Sequence, residues 1–326
     1  MGGAYHRGMP PIAAQAPDLS TQVARLFFDR QLSKVEIASR LGISRFRVAR
    51  LIEGALADGL VRIEYRDVPA EDRELAGAME ERFGLDLCAV AVATPVSSTD
   101  VPRLAGAVLD GLIGDGDAIG IAWGSTLAAV VRAISPRRDE HTSVVQLAGS
   151  SSRLDRDGDA GELARVLADR LGGTSHPIFA PTFVETAALR TALLREPELA
   201  ETVDRFGALD LAIVGIGAMP AEAVGAASSL VRSGVLDADE LAGLATRGAV
   251  GDLVVHPFDA AGTFVAPELA ARAIAIGVDD LRRTRRVIAV ASGARKARAI
   301  RGALATGIVR ILVTDAPTAR AVLGAG

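Results

Sequence analysis

SKVEIASRLGISRFRVARLIEGALAD, residues 33–58, contains two short helical patterns that are separated at Gly42. Ser44 is placed to cap the second helix, because a serine oxygen at that position accepts a backbone N–H. Apolar residues then recur at helical spacing and give the second helix one face for burial: Val48, Leu51 and Ile52. This arrangement predicts a helix-turn-helix.

The opposite face of the second helix is strongly cationic. From Arg40 to Arg50 the chain carries four arginines and no acidic residue. A short helix with a buried stripe and a cationic outer face fits the DNA major groove. The alternative is a merely solvated helix face, but the cap, the turn glycine and the apolar spacing all favour DNA binding. The predicted DNA contacts are Ser44, Arg45, Arg47 and Arg50.

The composition is that of a globular protein large enough for two domains. The chain has 326 residues, of which 49 % are apolar and 23 % charged. No apolar run approaches the roughly 18–20 residues that span a bilayer, and residues 1–17 lack the apolar core of a secretory signal. Cys88 is the single cysteine, which excludes an internal disulfide and argues against a cysteine metal site. We expect a cytoplasmic protein without a membrane segment, a metal or a cofactor.

The charge is divided unevenly along the chain. From Asp18 to Arg66 there are nine basic and six acidic residues, a net charge of +3, whereas the remainder carries −7. An acidic body with a small basic head suits a protein that touches DNA at one end.

The helical and strand patterns suggest four segments. An alternating stretch, residues 61–65, is a candidate wing beside the recognition helix. A further helix is expected from Pro69 to Phe83, with an apolar stripe that is a candidate dimer contact. The predicted organisation is a disordered tail at 1–17, a DNA-binding domain at 18–66, a linker helix at 67–84 and an α/β domain at 85–326.

From Leu87 onward, short β-branched runs alternate with helical patterns, which predicts a mostly parallel sheet covered on both faces. The expected strands are Leu87–Ala93, Ala118–Ala122, Val144–Leu147, Leu211–Ile216, Val287–Ala291 and Ile308–Val313. The expected helices are Val101–Ile113, Thr126–Ile134, Gly161–Leu171, Arg295–Ala305 and Pro317–Leu323.

Three of these strands end in small residues, at 120–126, 214–217 and 291–293. In open parallel sheets, ligands bind at the carboxyl ends of the strands, beside helix N-termini. Free backbone N–H groups and two hydroxyls at 120–126 would form an anion cradle. Each site alone is more often just a tight turn, but three in one domain favour a binding site.

Other polar residues are weaker candidates. Lys296 is one of only two lysines in an arginine-rich chain, which suggests a role for its compact charge, although a stray surface lysine is an equal alternative. Asp252 is either a sugar-hydroxyl acceptor or an exposed turn aspartate. His256 and Asp259 are a possible acid–base pair, but a structural histidine is favoured. The sequence shows no metal-ligand cluster and no nucleophile elbow.

Eight motifs in order make the chain resemble the SorC/DeoR-type sugar-responsive transcriptional regulators, from about Thr21 to Leu323. They are IASRLGISRFRVARLI, GDAIGIAWGSTLAAVV, VVQLAGSSS, PIFAPTFVETAALRTALL, DLAIVGIGAM, GAVGDLVVHPFDAAG, RVIAVASGARKARAIRGAL and ILVTDAPTARAVL.

The resemblance implies a winged-helix-like DNA-binding domain and a larger Rossmann-like α/β effector domain similar to phosphosugar isomerases. It implies a homodimer or homotetramer, such as a repressor, that binds operator DNA and responds to a sugar or phosphorylated sugar. Asp252 would meet sugar hydroxyls, Lys296 would neutralise phosphate, and Arg232 is a looser transfer. The implied effector contacts are Gly120, Gly124, Ser125, Thr126, Gly149, Arg232, Asp252 and Lys296.

Departures from the family pattern bear on the effector. The family often has Asn-Gly-Gly where this chain has Ala148-Gly149-Ser150, Arg in the turn at Ser125, and Asp at Glu185. Two alternatives stay open: an isomerase or deaminase with an added DNA-binding domain, and a DNA-binding protein that ignores small molecules. A regulator that is not an enzyme is the preferred interpretation.

Overall fold

The computed structural model describes residues 18–61, 69–92, 100–150, 159–219, 228–232 and 236–324. The chain divides into two compact units, Met1–Asp67 and Val68–Gly326. The predicted tail at 1–17 and most of the predicted wing at 61–65 lie outside the described residues. Within the described part, no helix is long and apolar enough to cross a membrane.

The first unit is the predicted helix-turn-helix with one helix before it. Helix α1, Leu19–Ala24, runs into a π-helical turn, Arg25–Asp29, and is followed by α2, Lys34–Leu41, and α3, Arg45–Ala57. Gly42 takes a left-handed conformation, with φ of 67°, and so ends α2. The side chain of Ser44 accepts the backbone N–H of Arg47 at 3.2 Å, as a helix cap does.

A small apolar core holds the three helices together. It is formed by the buried side chains of Val23, Ile37, Val48 and Ile52. Leu51 packs against this cluster from a partly buried position. The apolar stripe predicted for the second helix therefore faces the core, and the recognition helix is fixed to its scaffold by burial.

Helix α4 of the second unit, Arg73–Phe83, begins four residues later than predicted, because Asp72 rather than Pro69 provides its cap. The side chain of Asp72 accepts the backbone N–H of Leu75 at 3.1 Å. Met79 is fully buried, and Leu75 and Phe83 pack against the core of the same unit. This packing explains the apolar stripe without a second copy of the chain.

Among the residues that the structure describes, the sheet has nine strands, and seven of them run in the order β1-β9-β8-β5-β2-β3-β4, with all neighbours parallel. A hairpin, β6 and β7, extends antiparallel from β5. The strands are β1 Leu87–Ala91, β2 Ala118–Ile121, β3 Ser143–Gln146, β4 Thr174–His176, β5 Leu211–Ala218, β6 Ala249–Leu253, β7 His256–Asp259, β8 Arg286–Val290 and β9 Ile311–Asp315.

The other helices of the second unit surround or flank this sheet. They are α5 Asp100–Leu112, α6 Ser125–Ala133, α7 Ala160–Leu171, α8 Ala187–Leu193, α9 Pro197–Asp204, α10 Ser229–Arg232, α11 Ala238–Thr246, α12 Pro267–Ala270, α13 Val278–Arg283, α14 Ala297–Ala305 and α15 Ala316–Gly324. The six expected strands and five expected helices are all present. Among these eleven elements the largest boundary difference is at β9, which begins at Ile311 rather than Ile308.

The strand order contains a switch point between β2 and β5. From β2 the chain continues through α6 to β3 on one side, whereas from β5 it continues to β8 on the other side. The connections therefore leave a crevice outside the carboxyl ends of these two strands. In open α/β sheets this crevice is the usual place for a ligand.

Candidate functional site

The predicted ligand-binding strand ends are neighbours in the sheet. β2 pairs with β5, and β5 pairs with β8, in each case in parallel register. The residues that follow these three strands therefore lie along one edge of the sheet, with the switch point between β2 and β5.

The first strand end leads directly into a helix. Gly124 precedes α6 with φ of 132°, a conformation that side chains rarely adopt, and a Cβ added there would meet no atom within 4 Å. Ser125 is exposed and Thr126 is half-buried. The first N–H groups of a helix have no partner within the helix. Here they lie beside two hydroxyls and an open space, which is the environment of an anion cradle.

The third strand end carries the lysine. After β8, Gly293 donates its N–H to the hydroxyl of Thr318 at 2.7 Å, and a single 3₁₀ turn, Ala294–Lys296, follows. Lys296 is half-buried and its Nζ donates to the carbonyl oxygen of Ile216 in β5 at 3.1 Å. The lysine is thus directed to the end of the neighbouring strand, so the interpretation as a stray surface lysine is wrong.

Asp252 lies at the same place but not in an exposed turn. It is the fourth residue of β6, is 4 % exposed, and pairs with Gly217 at the end of β5. Ser228 hydrogen-bonds the carboxyl group, and Lys296 is close enough to interact with its charge. Among the described residues, Oδ1 of Asp252 has no hydrogen-bond partner. A buried acceptor without a partner is costly, so this oxygen is suited to accept from a ligand.

The environment of Asp252 changes its ionisation. Burial raises the pKa of the carboxyl to about 6, although the Ser228 hydrogen bond and the charge of Lys296 act in the opposite direction. The group is therefore ionised only partly at mildly acidic pH, and its charged form costs folding free energy.

We predict that Asp252→Asn stabilises the ligand-free protein at pH 7.5 by about 1–3 kcal/mol, because the amide resembles the protonated acid. Because the folded-state pKa of Asp252 lies above the usual aspartate value, the protonated carboxyl stabilises the wild type fully below about pH 4. This contribution is lost as the pH rises through about 6. The two proteins should therefore converge in urea unfolding near pH 4. Asp204→Asn, at an exposed site, is the control. A constant difference between pH 4 and 7.5 would contradict the buried carboxylate.

The cluster of Asp252, Ser228 and Lys296 requires glycine at position 217, and the sequence alone did not reveal this requirement. A Cβ at this position would lie 2.0 Å from Oδ1 of Asp252 and 2.5 Å from the hydroxyl oxygen of Ser228. Two residues earlier in β5, a Cβ at Gly215 would meet nothing within 4 Å. The strand end is therefore crowded at Gly217 and open at Gly215.

We predict that Gly217→Ala lowers the free energy of unfolding by about 1–3 kcal/mol, since the added methyl must displace buried polar groups. Gly215→Ala is the matched control in the same strand and should stay within about 0.5 kcal/mol of the wild type. Urea denaturation of the two variants measures the difference. Equal stability of both would show that the cluster around Asp252 is not closely packed.

Close packing also requires glycine at two other positions expected at the site. A Cβ at Gly120 would lie 2.5 Å from Cδ2 of Leu147, and one at Gly149 would lie 2.5 Å from the carbonyl oxygen of Ala180. Gly120 is inside β2 rather than at its end. Arg232 is the last residue of α10, and its side chain is outside the described part of the structure.

His256 does not form an acid–base pair. Its Nε2 is 2.8 Å from the carbonyl oxygen of Ile276, and burial lowers the pKa of the ring. Asp259 accepts the N–H groups of Ala261 and Thr263 and so closes a turn. Both residues are structural.

The predicted DNA contacts lie on the first turns of α3. Arg45, Arg47 and Arg50 are exposed, as is Ser44, whose hydroxyl oxygen already accepts the N–H of Arg47. The recognition helix therefore presents three guanidinium groups to solvent while its other face is fixed in the core.

Comparison with known proteins agrees with this architecture. The family model described as "Putative sugar-binding domain" matches residues 68–324. The deoxyribonucleoside regulator of Bacillus subtilis (strain 168) is 30 % identical over 311 residues, which cover 94 % of this chain and 97 % of that protein. The erythritol catabolism regulatory protein EryD of Brucella abortus (strain 2308) is 30 % identical over 317 residues, which cover 95 % and 98 %.

A solved structure extends the likeness to both units. The full-length sorbitol operon regulator SorC from Klebsiella pneumoniae superimposes with a TM-score of 0.70 at 25 % identity, covering 94 % of this chain and 98 % of that one. The matched model spans most of the second unit, and the relatives cover nearly the whole chain. The chain therefore belongs to the family of SorC/DeoR-type sugar-binding transcriptional regulators.

Proposed function

We propose that this regulator binds a sugar or phosphorylated sugar at the carboxyl ends of β2, β5 and β8, and that binding changes the affinity of α3 for operator DNA. The observation that carries the proposal is the buried Asp252, whose Oδ1 has no described partner although a lysine lies beside it. A polyol supplies the hydroxyl donors that a carboxylate accepts.

Each group at the strand ends has a role in this proposal. Asp252 accepts sugar hydroxyls, and Lys296 neutralises a phosphate as a compact point charge. The N–H groups at the start of α6, with Ser125 and Thr126, hold a second part of the effector. Arg232 is a further candidate for the phosphate.

The proposed activity is binding rather than catalysis and uses no cofactor. An isomerase needs a base and an acid on opposite sides of the sugar. Of the candidates, His256 is bonded to a backbone carbonyl, which leaves Asp252 and Lys296 in one cluster. The relatives whose names state a role are regulators.

The proposed partner of the first unit is operator DNA, met in the cytoplasm. A homodimer or homotetramer fits this role, because the two-fold symmetry of an assembly matches that of a palindromic operator. Sedimentation of the full chain, with and without a selected DNA duplex, would give the number of copies bound.

The single tryptophan provides a test of the effector site. Trp123 follows β2 and is 8 % exposed, immediately before the proposed cradle. Its fluorescence should change saturably when purified protein is titrated with one of a panel of sugar phosphates or free sugars. A compound that is turned over would support the enzyme alternative. A panel without any response in fluorescence or melting temperature would favour regulation without an effector.

A further inference from the structure

Phe46 is exposed to solvent on the recognition helix. It is 73 % exposed and is the second residue of α3, whose first turn is capped by Ser44. The core of the first unit is formed by Val48 and Ile52 from this helix and does not include Phe46. Folding of the unit therefore does not account for a large aromatic side chain at this position.

The residues around Phe46 indicate the kind of ligand that it contacts. The guanidinium of Arg45 lies 5.4 Å from the centroid of the ring, and Arg47 and Arg50 are exposed on the same short helix. The nearest acidic residues in the sequence are Glu36 and Glu53. An exposed aromatic ring among several arginines is suited to bind a polyanion that also carries an apolar group.

We propose that Phe46 contacts the C5-methyl group of a thymine in the operator and so contributes to sequence specificity. The inference rests on the proposed DNA-binding function. The N-terminal residues of a recognition helix reach base edges in the major groove. The thymine methyl is the apolar group displayed there, whereas cytosine displays an amino group that a phenyl ring does not satisfy.

The arginines and the phenylalanine then have different roles in DNA recognition. Guanidinium groups bind phosphates or guanine edges, and phosphate contacts fix the position of the helix without reading sequence. Phe46 adds discrimination at one base pair, and the capped helix start at Ser44 holds its backbone in place.

The test removes one methyl group from the DNA. Duplexes are selected from a random library with the full-length wild-type protein, and each thymine of the selected site is replaced in turn by deoxyuridine, which keeps every hydrogen-bonding group. The wild type should lose about three- to fivefold in affinity at one thymine per half-site, the effect of burying a single methyl.

The variant Phe46→Ala should bind more weakly and should no longer distinguish thymine from uracil at that position. Phe179→Ala removes an 81 % exposed phenylalanine from the second unit and should retain the wild-type discrimination. Melting curves confirm that both variants fold.

Two results would overturn the inference: a Phe46→Ala protein that responds to uracil like the wild type, or a wild type that is indifferent to uracil at every position. A change in oligomeric state of Phe46→Ala without loss of thymine discrimination would assign the residue to a contact between copies. If the wild type selects no DNA at all, the proposed DNA binding and the role of Phe46 are both contradicted. If it selects DNA but does not distinguish thymine from uracil, only the role of Phe46 is contradicted.

Discussion

A protein in which Arg45, Arg47 and Arg50 are all replaced by alanine should bind its operator about a thousandfold more weakly than the wild type. A thousandfold loss corresponds to about 1.4 kcal/mol for each of the three arginines, near the lower end of the roughly 1–3 kcal/mol of a bidentate guanidinium contact. Val48, Ile52 and Ala55 are the buried residues of α3, whereas the three arginine side chains are exposed. Their loss therefore removes charge from the DNA-binding surface without disturbing the core of the first unit.

The measurement is a titration of DNA selected with the wild-type protein, repeated at several salt concentrations. Each lost phosphate contact should reduce the steepness of the salt dependence by about 0.9 in the log–log slope. The control replaces three exposed arginines of the second unit, Arg165, Arg283 and Arg310, which form surface ion pairs of small energetic value. If this control loses as much affinity as the α3 variant, general charge rather than the recognition helix would explain DNA binding.

Lys296→Met should weaken binding of a phosphorylated effector by about 10- to 100-fold, since hydrogen bonds to charged groups contribute roughly 1.5–3 kcal/mol. Methionine has a similar length and lacks the charge, so the apolar part of the side chain is preserved. The wild-type lysine donates to the carbonyl of Ile216 and interacts with the charge of Asp252, so melting curves are needed to confirm that the variant folds.

Calorimetry with matched phosphorylated and free sugars measures this effect. Lys34→Met alters the other lysine of the chain, an exposed residue at the start of α2, and should leave effector affinity unchanged. If Lys296→Met weakened the free sugar and the sugar phosphate equally, Lys296 would support the site without binding the phosphate.

The sequence predicted the central sheet closely because buried parallel strands are continuous apolar runs. β5 is a clear example, since Leu211–Ile216 contains no charged residue. β6 was not recognised, because Gly251 and Asp252 interrupt its apolar character. The same interruption made Asp252 look like a turn residue, and only pairing with β5 shows that it is buried.

The position of the candidate site could be predicted from the sequence, but the contacts among its residues could not. Small residues after three strands identified the sheet edge, and parallel topology placed those strand ends side by side. The contact of Ser228 with Asp252, and the need for glycine at Gly217, depend on a close approach between segments that are distant in the chain. Conversely, Gly120 and Gly149 follow the pattern of ligand-binding glycines, although close packing accounts for both.

The helix-turn-helix was predictable in greater detail because its signals are local. Ser33 and Glu36 form a reciprocal capping box, and Ser44 caps α3, all within four residues of their partners. The exposure of Phe46 is different, since it depends on which residues of α3 the preceding helices cover.

We propose that an effector at the strand ends of the second unit controls the DNA affinity of the first. The most direct measurement is operator affinity with and without a saturating effector, for the wild type and for Lys296→Met. A coupling of about 1–3 kcal/mol, or roughly 5- to 150-fold, is expected for the wild type. Lys296→Met should show the same change in DNA affinity, but only when the effector concentration is raised in proportion to its weaker effector binding. An effector that saturates the wild-type protein while leaving its DNA affinity unchanged would contradict the account.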